Sequence, residues 1–285
     1  MALPAHASRL ERIWHKTYLV ICGLIFFFLV APIIVIIPLS FNAQPYFTFT
    51  EEMLTFDPAG YSLRWYDALL GDSSGAQEWK RAIGNSFFIA ISSTVLATTL
   101  GTLAALGLSR REMPYRAAIT AFLISPMIVP LIITAAALFS FYARINLAQT
   151  YLSIILSHVV LGAPFVVITV TAALSGFDNQ LIRASQSLGA NQVTTFFRVV
   201  MPLLLPGIIA GGLFAFITSL DEVVVVLFLA GPEQTPMTVR MFGSLREEIS
   251  PTILALASIL VALSILLLTL MELLRRSSER QRMGK

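Results

Sequence analysis

Charged residues are scarce in this chain: Asp, Glu, Lys and Arg make up 12% of its 285 residues, whereas 56% are apolar. A soluble domain has about 25% charged residues, so the composition favours a membrane protein. The single cysteine, Cys22, excludes an intramolecular disulfide. The three lysines, Lys16, Lys80 and Lys285, do not follow the G-x-x-x-x-G-K-[ST] spacing of a phosphate-binding loop. The chain therefore lacks this kind of ATP site.

Clusters of catalytic or metal-ligating residues are also missing from the sequence. A membrane-embedded enzyme needs His, Asp or Glu side chains, or a nucleophile with its base, grouped at membrane depth. Nothing is grouped in that way, so we predict no enzymatic activity, no metal site and no cofactor bound by this chain. Basic residues lie in short runs beside apolar segments without an aromatic-rich basic face, so we predict no nucleic-acid partner.

Long apolar windows are the main feature that is present. Six of them are long enough to cross a hydrocarbon core of about 30 Å, which takes about 20 helical residues. They are Tyr18–Phe41, Ile83–Leu108, Ala117–Ala143, Tyr151–Leu174, Leu203–Ala230 and Thr252–Leu274. Backbone amides in lipid must be satisfied within their own segment, so we predict an all-α fold with six transmembrane helices. Pro126, Pro130 and Pro164 predict kinked helices around a pathway.

Positive charge is distributed unevenly between the segments that connect these windows. With the N-terminus inside the cell, the inside segments hold 13 of the 19 Lys and Arg residues and the outside segments hold 6. Because basic residues accumulate on the cytoplasmic side, we predict that both termini are cytoplasmic. We predict a cytoplasmic tail at 1–17, a first transmembrane helix at 18–41 and a periplasmic segment at 42–81. A membrane core follows at 82–274 and a basic cytoplasmic tail at 275–285. The aromatic-rich segment 42–81 predicts short interfacial elements, either a docking surface for an external partner or an aromatic belt.

The segment Phe177–Gly207 is polar and turn-rich although it lies between two apolar windows. We predict that Asn179 caps a first helix and that Gly189 stops it. Asn191 is predicted to cap a second short helix, 191–200, which Pro202 ends. The two helices would form a hairpin at the membrane surface.

Each arm of this predicted hairpin has apolar side chains at helical spacing and polar side chains elsewhere. The apolar stripes consist of Leu181, Ala184, Ser185 and Leu188 in the first arm and Val193, Phe196, Phe197 and Val200 in the second. The side chains expected to stay in water are Arg183, Gln186, Gln192 and Arg198. Such a hairpin can insert one end into a groove on a soluble partner.

In this segment the sequence resembles the inner-membrane permease subunits of binding-protein-dependent ABC importers. Their cytoplasmic signature is E-A-A, three residues, G, nine residues, then I-x-L-P. Here the register gives Arg183-Ala184-Ser185, then Gly189, then Val199-Val200-Met201-Pro202. The departure is Arg183, a charge reversal of the family's glutamate. The alternative is an ordinary amphipathic connection between two spans.

The resemblance implies the fold, the partners and the mechanism. The fold would be a type I ABC importer (MetI-like) transmembrane domain in a bacterial inner membrane. Its partners would be a second permease subunit, similar or identical, two ATP-binding cassette subunits that carry ATP and Mg²⁺, and a periplasmic solute-binding protein. The ATPase-coupling loop would use Arg183, Ala184, Ser185, Gly189, Phe196, Phe197 and Pro202. Closure of the ATPase pair would then swing the membrane helices between inward- and outward-facing states.

Two acidic residues, Asp221 and Glu222, interrupt the fifth apolar window. A charge at membrane depth costs about 2.5–3.5 kcal/mol on insertion scales, so such residues normally face a cavity or a partner. We predict that the substrate pathway uses Asp221, Glu222, Phe214 and Thr218. Asp221 continues the helical face of Phe214 and Thr218 and is expected to face the cavity, with Glu222 in reach of a neighbouring helix or subunit. The alternative is a structural pair with an Arg or with backbone amides of the partner permease.

The stretch SLDEVVVVLFLAGPEQTPMTVR also resembles polyamine (spermidine/putrescine) permeases, which have an acidic pair, a V-rich run, a G-P turn and a P-x-x-V-R/K segment. That resemblance implies an elongated organic cation as substrate, which acidic groups in an aromatic-flanked pathway would suit. The loop signature alone leaves iron, sulfate, phosphonate or opine-like substrates open. A stand-alone secondary transporter is a further alternative, but it predicts two inverted halves, and the sequence has one acidic pair without a counterpart.

Two smaller features concern helix packing. His158, in the fourth window, is predicted to form a hydrogen bond between helices rather than a proton relay. Gly207 and Gly211 form a G-x-x-x-G pair, a pattern typical of the close-contact face of a helix dimer.

Overall fold

A computed structural model of the chain describes residues 8–110, 112–178, 180–247 and 250–283. Within these residues the secondary structure is helical, with one isolated antiparallel bridge between Asn42 and Tyr61, so the predicted all-α class is confirmed. The α-helices are α1 Arg9–Leu39, α2 Glu51–Leu54, α3 Arg64–Leu70, α4 Ser74–Leu108, α5 Arg116–Ile124, α6 Leu131–Arg144, α7 Tyr151–Ser175, α8 Gln180–Ser187, α9 Gln192–Thr195, α10 Met201–Asp221, α11 Val224–Leu229, α12 Met237–Glu247 and α13 Thr252–Met283. Short 3₁₀ turns lie at Pro58–Gly60, Ser125–Met127 and Pro232–Gln234, and a π turn lies at Phe196–Val200.

Five of the described helical segments are long and apolar enough to cross a membrane. They are α1, α4, α7, the continuous stretch Gln192–Asp221 and the Thr252–Thr269 part of α13. A sixth span results only if α5 and α6 are counted together. The total of six spans and the cytoplasmic position of both termini therefore remain predictions.

The third predicted window, Ala117–Ala143, is not one kinked helix, and this part of the prediction was wrong. The segments Arg116–Met127 and Leu131–Arg144 meet at an angle of 98°. Pro126 and Pro130 explain the break, because each removes a backbone N–H and the pair lies within a single turn. The sequence predicted a bend here but not its size.

Two helices begin earlier than predicted. A capping box starts α1 at Arg9: the Glu11 amide donates to Ser8 Oγ (3.3 Å), and the Ser8 amide donates to the Glu11 carboxylate (2.7 Å). Helix α4 starts at Ser74, so the last residues of the predicted periplasmic segment 42–81 are already helical. The first turns of both helices are polar, so the predicted apolar windows did not include them.

The described residues divide into two compact units, one from within 1–77 and 248–285, the other from 78–247. In the first unit, α13 packs against α1 and α3. The segment between α1 and α4 folds as short helices, and two of its aromatic side chains form hydrogen bonds with residues that directly follow α1. Trp65 Nε1 donates to the Asn42 carbonyl (2.7 Å), and the Tyr66 hydroxyl lies 2.7 Å from Ser40 Oγ. The short elements predicted for this segment are present.

The second unit is built around α7, most of which is buried, with α10 packed along it. Small residues let the two backbones approach closely. A Cβ added to Gly207 would lie 2.9 Å from Ala173, and one added to Gly162 would lie 3.0 Å from Ala215. The Gly207 and Gly211 pair therefore makes its close contact with α7 of the same chain, whereas the sequence had suggested a helix dimer.

A buried polar cluster joins three helices of this unit. His158 Nδ1 on α7 lies 2.6 Å from Ser219 Oγ on α10, and Ser93 Oγ on α4 lies 3.0 Å from the same Ser219 oxygen. All three side chains are buried. The predicted packing hydrogen bond of His158 is confirmed, and the cluster fixes the register of α10 against its neighbours.

Candidate functional site

The first arm of the hairpin, α8, follows directly after α7. Asp178 accepts a hydrogen bond from the Gln180 amide (2.9 Å) and so satisfies one of the free donors at the start of the helix. The predicted cap Asn179 lies outside the described residues. Ile182 packs inward against the core, whereas Leu181, Ala184 and Arg183 are exposed.

Gly189 ends the first arm as predicted. Its φ of +83° is left-handed, a region that L side chains rarely adopt. The Ala190 amide donates to the Ser185 carbonyl (3.1 Å) and the Gly189 amide to the Gln186 carbonyl (2.9 Å). This pair of bonds is a Schellman motif, which satisfies the last carbonyls of α8. A Cβ at Gly189 would meet nothing within 4 Å, so the backbone angle alone requires glycine.

Asn191 caps the second arm as predicted: its Oδ1 accepts from the Thr194 amide (2.8 Å). The predicted end at Pro202 was wrong, because α9 continues through the π turn into α10. The Met201 amide donates to the Phe196 carbonyl, five residues back. Pro202 lies inside this helix, directly after the π turn, and does not end it. The second arm and the span form one helix, Gln192–Asp221.

The two arms are joined to each other and to the core of the second unit. Ser185 Oγ and Thr195 Oγ1 are 3.0 Å apart across the hairpin. Phe196 and Ile182 pack against a buried cluster that includes Val200. Ser185, which belongs to the predicted apolar stripe of the first arm, therefore contacts the second arm.

The outer surface of the hairpin is apolar and exposed. Leu188 is 89% exposed, Val193 65% and Phe197 60%. Phe197 is held edge-on against Phe196, with ring centroids 5.1 Å apart. We call Leu188, Val193 and Phe197 the hairpin tip. The side chains predicted to stay in water are exposed around it: Arg183, Gln186, Gln192 and Arg198.

The acidic pair lies at the other end of α10, and its two members have different surroundings. The predicted fifth window is not one continuous helix, because α10 ends at Asp221 and Glu222 adopts an extended conformation. Glu222 is buried, and its Oε1 accepts from the Val225 amide (2.8 Å) in the first turn of α11. The Glu222 carbonyl accepts from Thr238 Oγ1 (3.2 Å). Asp221 is exposed.

The face of α10 that carries Asp221 also carries Thr218 and Phe214, as predicted from helical spacing. Phe214 is 52% exposed and stacks on Phe165 of α7, with centroids 5.9 Å apart and ring planes at 19°. Seven residues of helix separate Phe214 from Asp221, which is an axial distance of about 10 Å. An aromatic pair and a carboxylate are therefore displayed along one exposed face.

The sequence did not predict a set of polar residues that form hydrogen bonds with the turn after α11. Asn85 Nδ2 donates to the carbonyls of Glu233 (2.8 Å) and Thr235 (3.0 Å), and the Tyr151 hydroxyl donates to Asn85 Oδ1 (2.8 Å). The Met237 amide donates to Ser86 Oγ (2.9 Å). The signal was present, since Asn85 and Ser86 are adjacent polar residues inside an apolar window. Among the described residues no group of three His, Cys, Asp or Glu side chains is placed to hold a metal.

A helical membrane subunit with a glycine-hinged hairpin at one end of a spanning helix is the architecture of an ABC importer permease. Residues 97–280 match the family described as "Binding-protein-dependent transport system inner membrane component". The chain belongs to this family.

Relatives and solved structures agree with this assignment. The chain is 30% identical over 254 residues to the spermidine/putrescine permease protein PotC of Haemophilus influenzae, covering 89% of this chain and 94% of that protein. It is 32% identical over 250 residues to the putrescine permease protein PotI of Escherichia coli, covering 85% of each. A bacterial ABC transporter involved in alginate import shares the fold, with a TM-score of 0.71 at 15% identity over 94% of this chain and 99% of that one.

Proposed function

We propose that the hairpin couples this permease to a separate ATP-binding subunit. The observation that carries the proposal is the exposed apolar tip, two of whose residues, Val193 and Phe197, lie on the helix that runs from Gln192 to Asp221. A helix of 30 residues is about 45 Å long, so a push on the tip is transmitted across the membrane. The half-buried Ser185–Thr195 contact and the packing of Phe196 hold the tip against the core.

The assembly around this chain follows from the family. A second permease subunit, two ATP-binding cassette subunits that bind ATP and Mg²⁺, and a periplasmic solute-binding protein complete the transporter in a bacterial inner membrane. The family description itself names dependence on a binding protein. Arg183 is exposed, so the position that differs in charge from the family pattern is available to the ATP-binding subunit.

The proposed substrate is a polyamine or a related elongated organic cation. The similarity to PotC and PotI extends over at least 85% of this chain and of each relative. Asp221 supplies an exposed carboxylate, and Phe214 with Phe165 supplies aromatic faces for the cation. Glu222 is assigned to structure, because its carboxylate is used by α11.

A second candidate is a different solute within the same class. The sulfoquinovosyl glycerol permease protein SmoH of Agrobacterium fabrum is 31% identical, but over 143 residues that cover half of each chain. The shorter match favours the polyamine class over a sugar derivative. Iron, sulfate, phosphonate and opine-like solutes are the remaining candidates from the loop signature.

Uptake of labelled spermidine by proteoliposomes with the assembled transporter tests the proposed substrate and the proposed coupling to an ATP-binding subunit. Asp221→Asn is expected to raise the KM for spermidine about tenfold, the effect of losing about 1.4 kcal/mol of interaction. Glu233→Gln, which neutralises another exposed carboxylate, is the control and is expected to change nothing. Unchanged uptake with Asp221→Asn would remove this carboxylate from the pathway. Uptake by the chain without an ATP-binding subunit would instead indicate a secondary transporter.

A further inference from the structure

An apolar groove lies in the second unit, between α5 and the C-terminal half of α7. Its volume is about 640 Å³, and it reaches from Leu108 at the end of α4 to the bend after α5. Both α5 and the 3₁₀ turn Ser125–Met127 that follows it contact α7. Its apolar lining residues are Leu108, Ala117, Ala121, Ile124, Ile128, Val167 and Ile168.

The polar lining residues are Arg116 and Thr120 in the first half of α5 and Thr171 in the last turns of α7. Among the described residues of the lining, Arg116 is the one that carries a charge, and it is exposed. Thr171, near the C-terminal end of α7, also lines the groove, and its hydroxyl is buried without a hydrogen-bond partner within the described residues. The groove therefore has a cationic, polar end and an apolar remainder, the pattern that an anionic amphiphile complements.

The length of the groove matches one leaflet of a bilayer. Arg116 and Ile128 are twelve residues apart, which is about 18 Å along a helix. Half of a hydrocarbon core is about 15 Å. The predicted topology places Arg116 at the cytoplasmic surface, so the apolar part of the groove runs from that surface to the middle of the membrane.

From this geometry we propose that the groove is a binding site for an anionic phospholipid, with one acyl chain between α5 and α7 and its phosphate on Arg116. The described residues that line the groove include no carboxylate to oppose the phosphate. A basic residue near an anionic membrane surface contributes about 1 kcal/mol to such binding. Because α5 belongs to the bent pair, an acyl chain here would support the position of α5 against α7.

Electron spin resonance with spin-labelled phosphatidylglycerol and phosphatidylcholine tests the proposal on the assembled transporter. The native protein is expected to favour phosphatidylglycerol, and Arg116→Gln is expected to lower that preference about fivefold, the equivalent of one basic residue at the surface. Arg116→Lys keeps the charge and is expected to keep most of the preference. Arg144→Gln, at the exposed end of α6 and outside the groove, is the matched control and is expected to change nothing.

A second variant tests the acyl-chain part. Ala121→Trp fills the groove and is expected to remove the preference for phosphatidylglycerol. An unchanged preference with Arg116→Gln overturns the proposal, as does an equal loss with Arg144→Gln. Equal association of the two lipids with the native assembly would also overturn it.

Discussion

The two ends of α10 differ in what their side chains contact. At the Asp221 end, polar groups are buried and bonded within the chain: Glu222 to the Val225 amide, Thr238 to the Glu222 carbonyl, and Ser219 to His158. At the hairpin end, large apolar side chains are exposed, with Leu188 at 89%. The buried polar groups at the first end form their hydrogen bonds within the chain, whereas the second end presents an apolar surface that this chain does not cover. This difference is the reason for assigning partner binding to the hairpin.

The largest effect is expected from Phe197→Glu, which places a charge on the hairpin tip. A central aromatic of an interface contributes about 2 kcal/mol or more, so affinity for the ATP-binding subunit should fall about thirtyfold and ATP-driven uptake with it. Phe197 is 60% exposed, so the thermal stability of the permease should not change. Gln192→Ala, an exposed residue of the same arm, is the control for both readouts. Normal ATPase binding by Phe197→Glu would mean that the exposed tip is not the docking surface.

Next in size is the contrast within the acidic pair. Glu222→Ala removes the acceptor for the Val225 amide, and a lost helix cap costs about 0.5–2 kcal/mol of stability. Asp221→Ala is expected to leave stability unchanged, because Asp221 is exposed. Thermal unfolding in detergent measures both. Equal melting temperatures of the two variants would contradict the structural role of Glu222.

A comparable loss of stability, confined to the hairpin, is expected from Gly189→Ala. A left-handed backbone costs an L residue about 1–2 kcal/mol, so the end of α8 should loosen while the spans stay folded. Limited proteolysis of the hairpin is the measurement. Gly176→Ala is the matched control, since Gly176 has an ordinary φ of −93° and no atom within 4 Å of an added Cβ. Equal cleavage of the two variants would show that the turn does not depend on glycine.

The smallest effect is expected from Ser219→Ala at the buried cluster. Hydrogen bonds between membrane helices contribute about 0.6 kcal/mol on average, and this change removes the partner of both His158 and Ser93. Ser175→Ala, which removes a bond within α7 only, serves as comparison in the same unfolding assay. A Ser219→Ala protein no less stable than Ser175→Ala would indicate that the cluster does not hold α10.

The sequence predicted those parts of the fold and site that depend on short-range chemistry. Caps and stops are local, so Asn191 and Gly189 were identified with their correct roles. Helical spacing placed Phe214, Thr218 and Asp221 on one face. The end predicted at Pro202 failed because a π turn changes the hydrogen-bond register before the proline, and no residue pattern announces it.

The sequence did not predict contacts between segments that are far apart in the chain. The two carbonyls to which Asn85 donates are 148 and 150 residues away in the chain. Burial of Glu222 and exposure of Asp221 depend on where α10 ends, and that end is set by the Val225 and Thr238 contacts. The two prolines predicted a bend between α5 and α6 but not its angle of 98°.

Cross-linking from the hairpin tip tests the central claim most directly. The chain has one cysteine, so Cys22→Ser gives a cysteine-free background for Leu188→Cys and, as control, Leu54→Cys, which is 67% exposed in α2. The assembled transporter is treated with a short thiol-to-amine cross-linker. We predict a product with the ATP-binding subunit from position 188 and none from position 54. Intact ATP-driven uptake without any product at position 188 would contradict the claim that the hairpin tip is the point of contact.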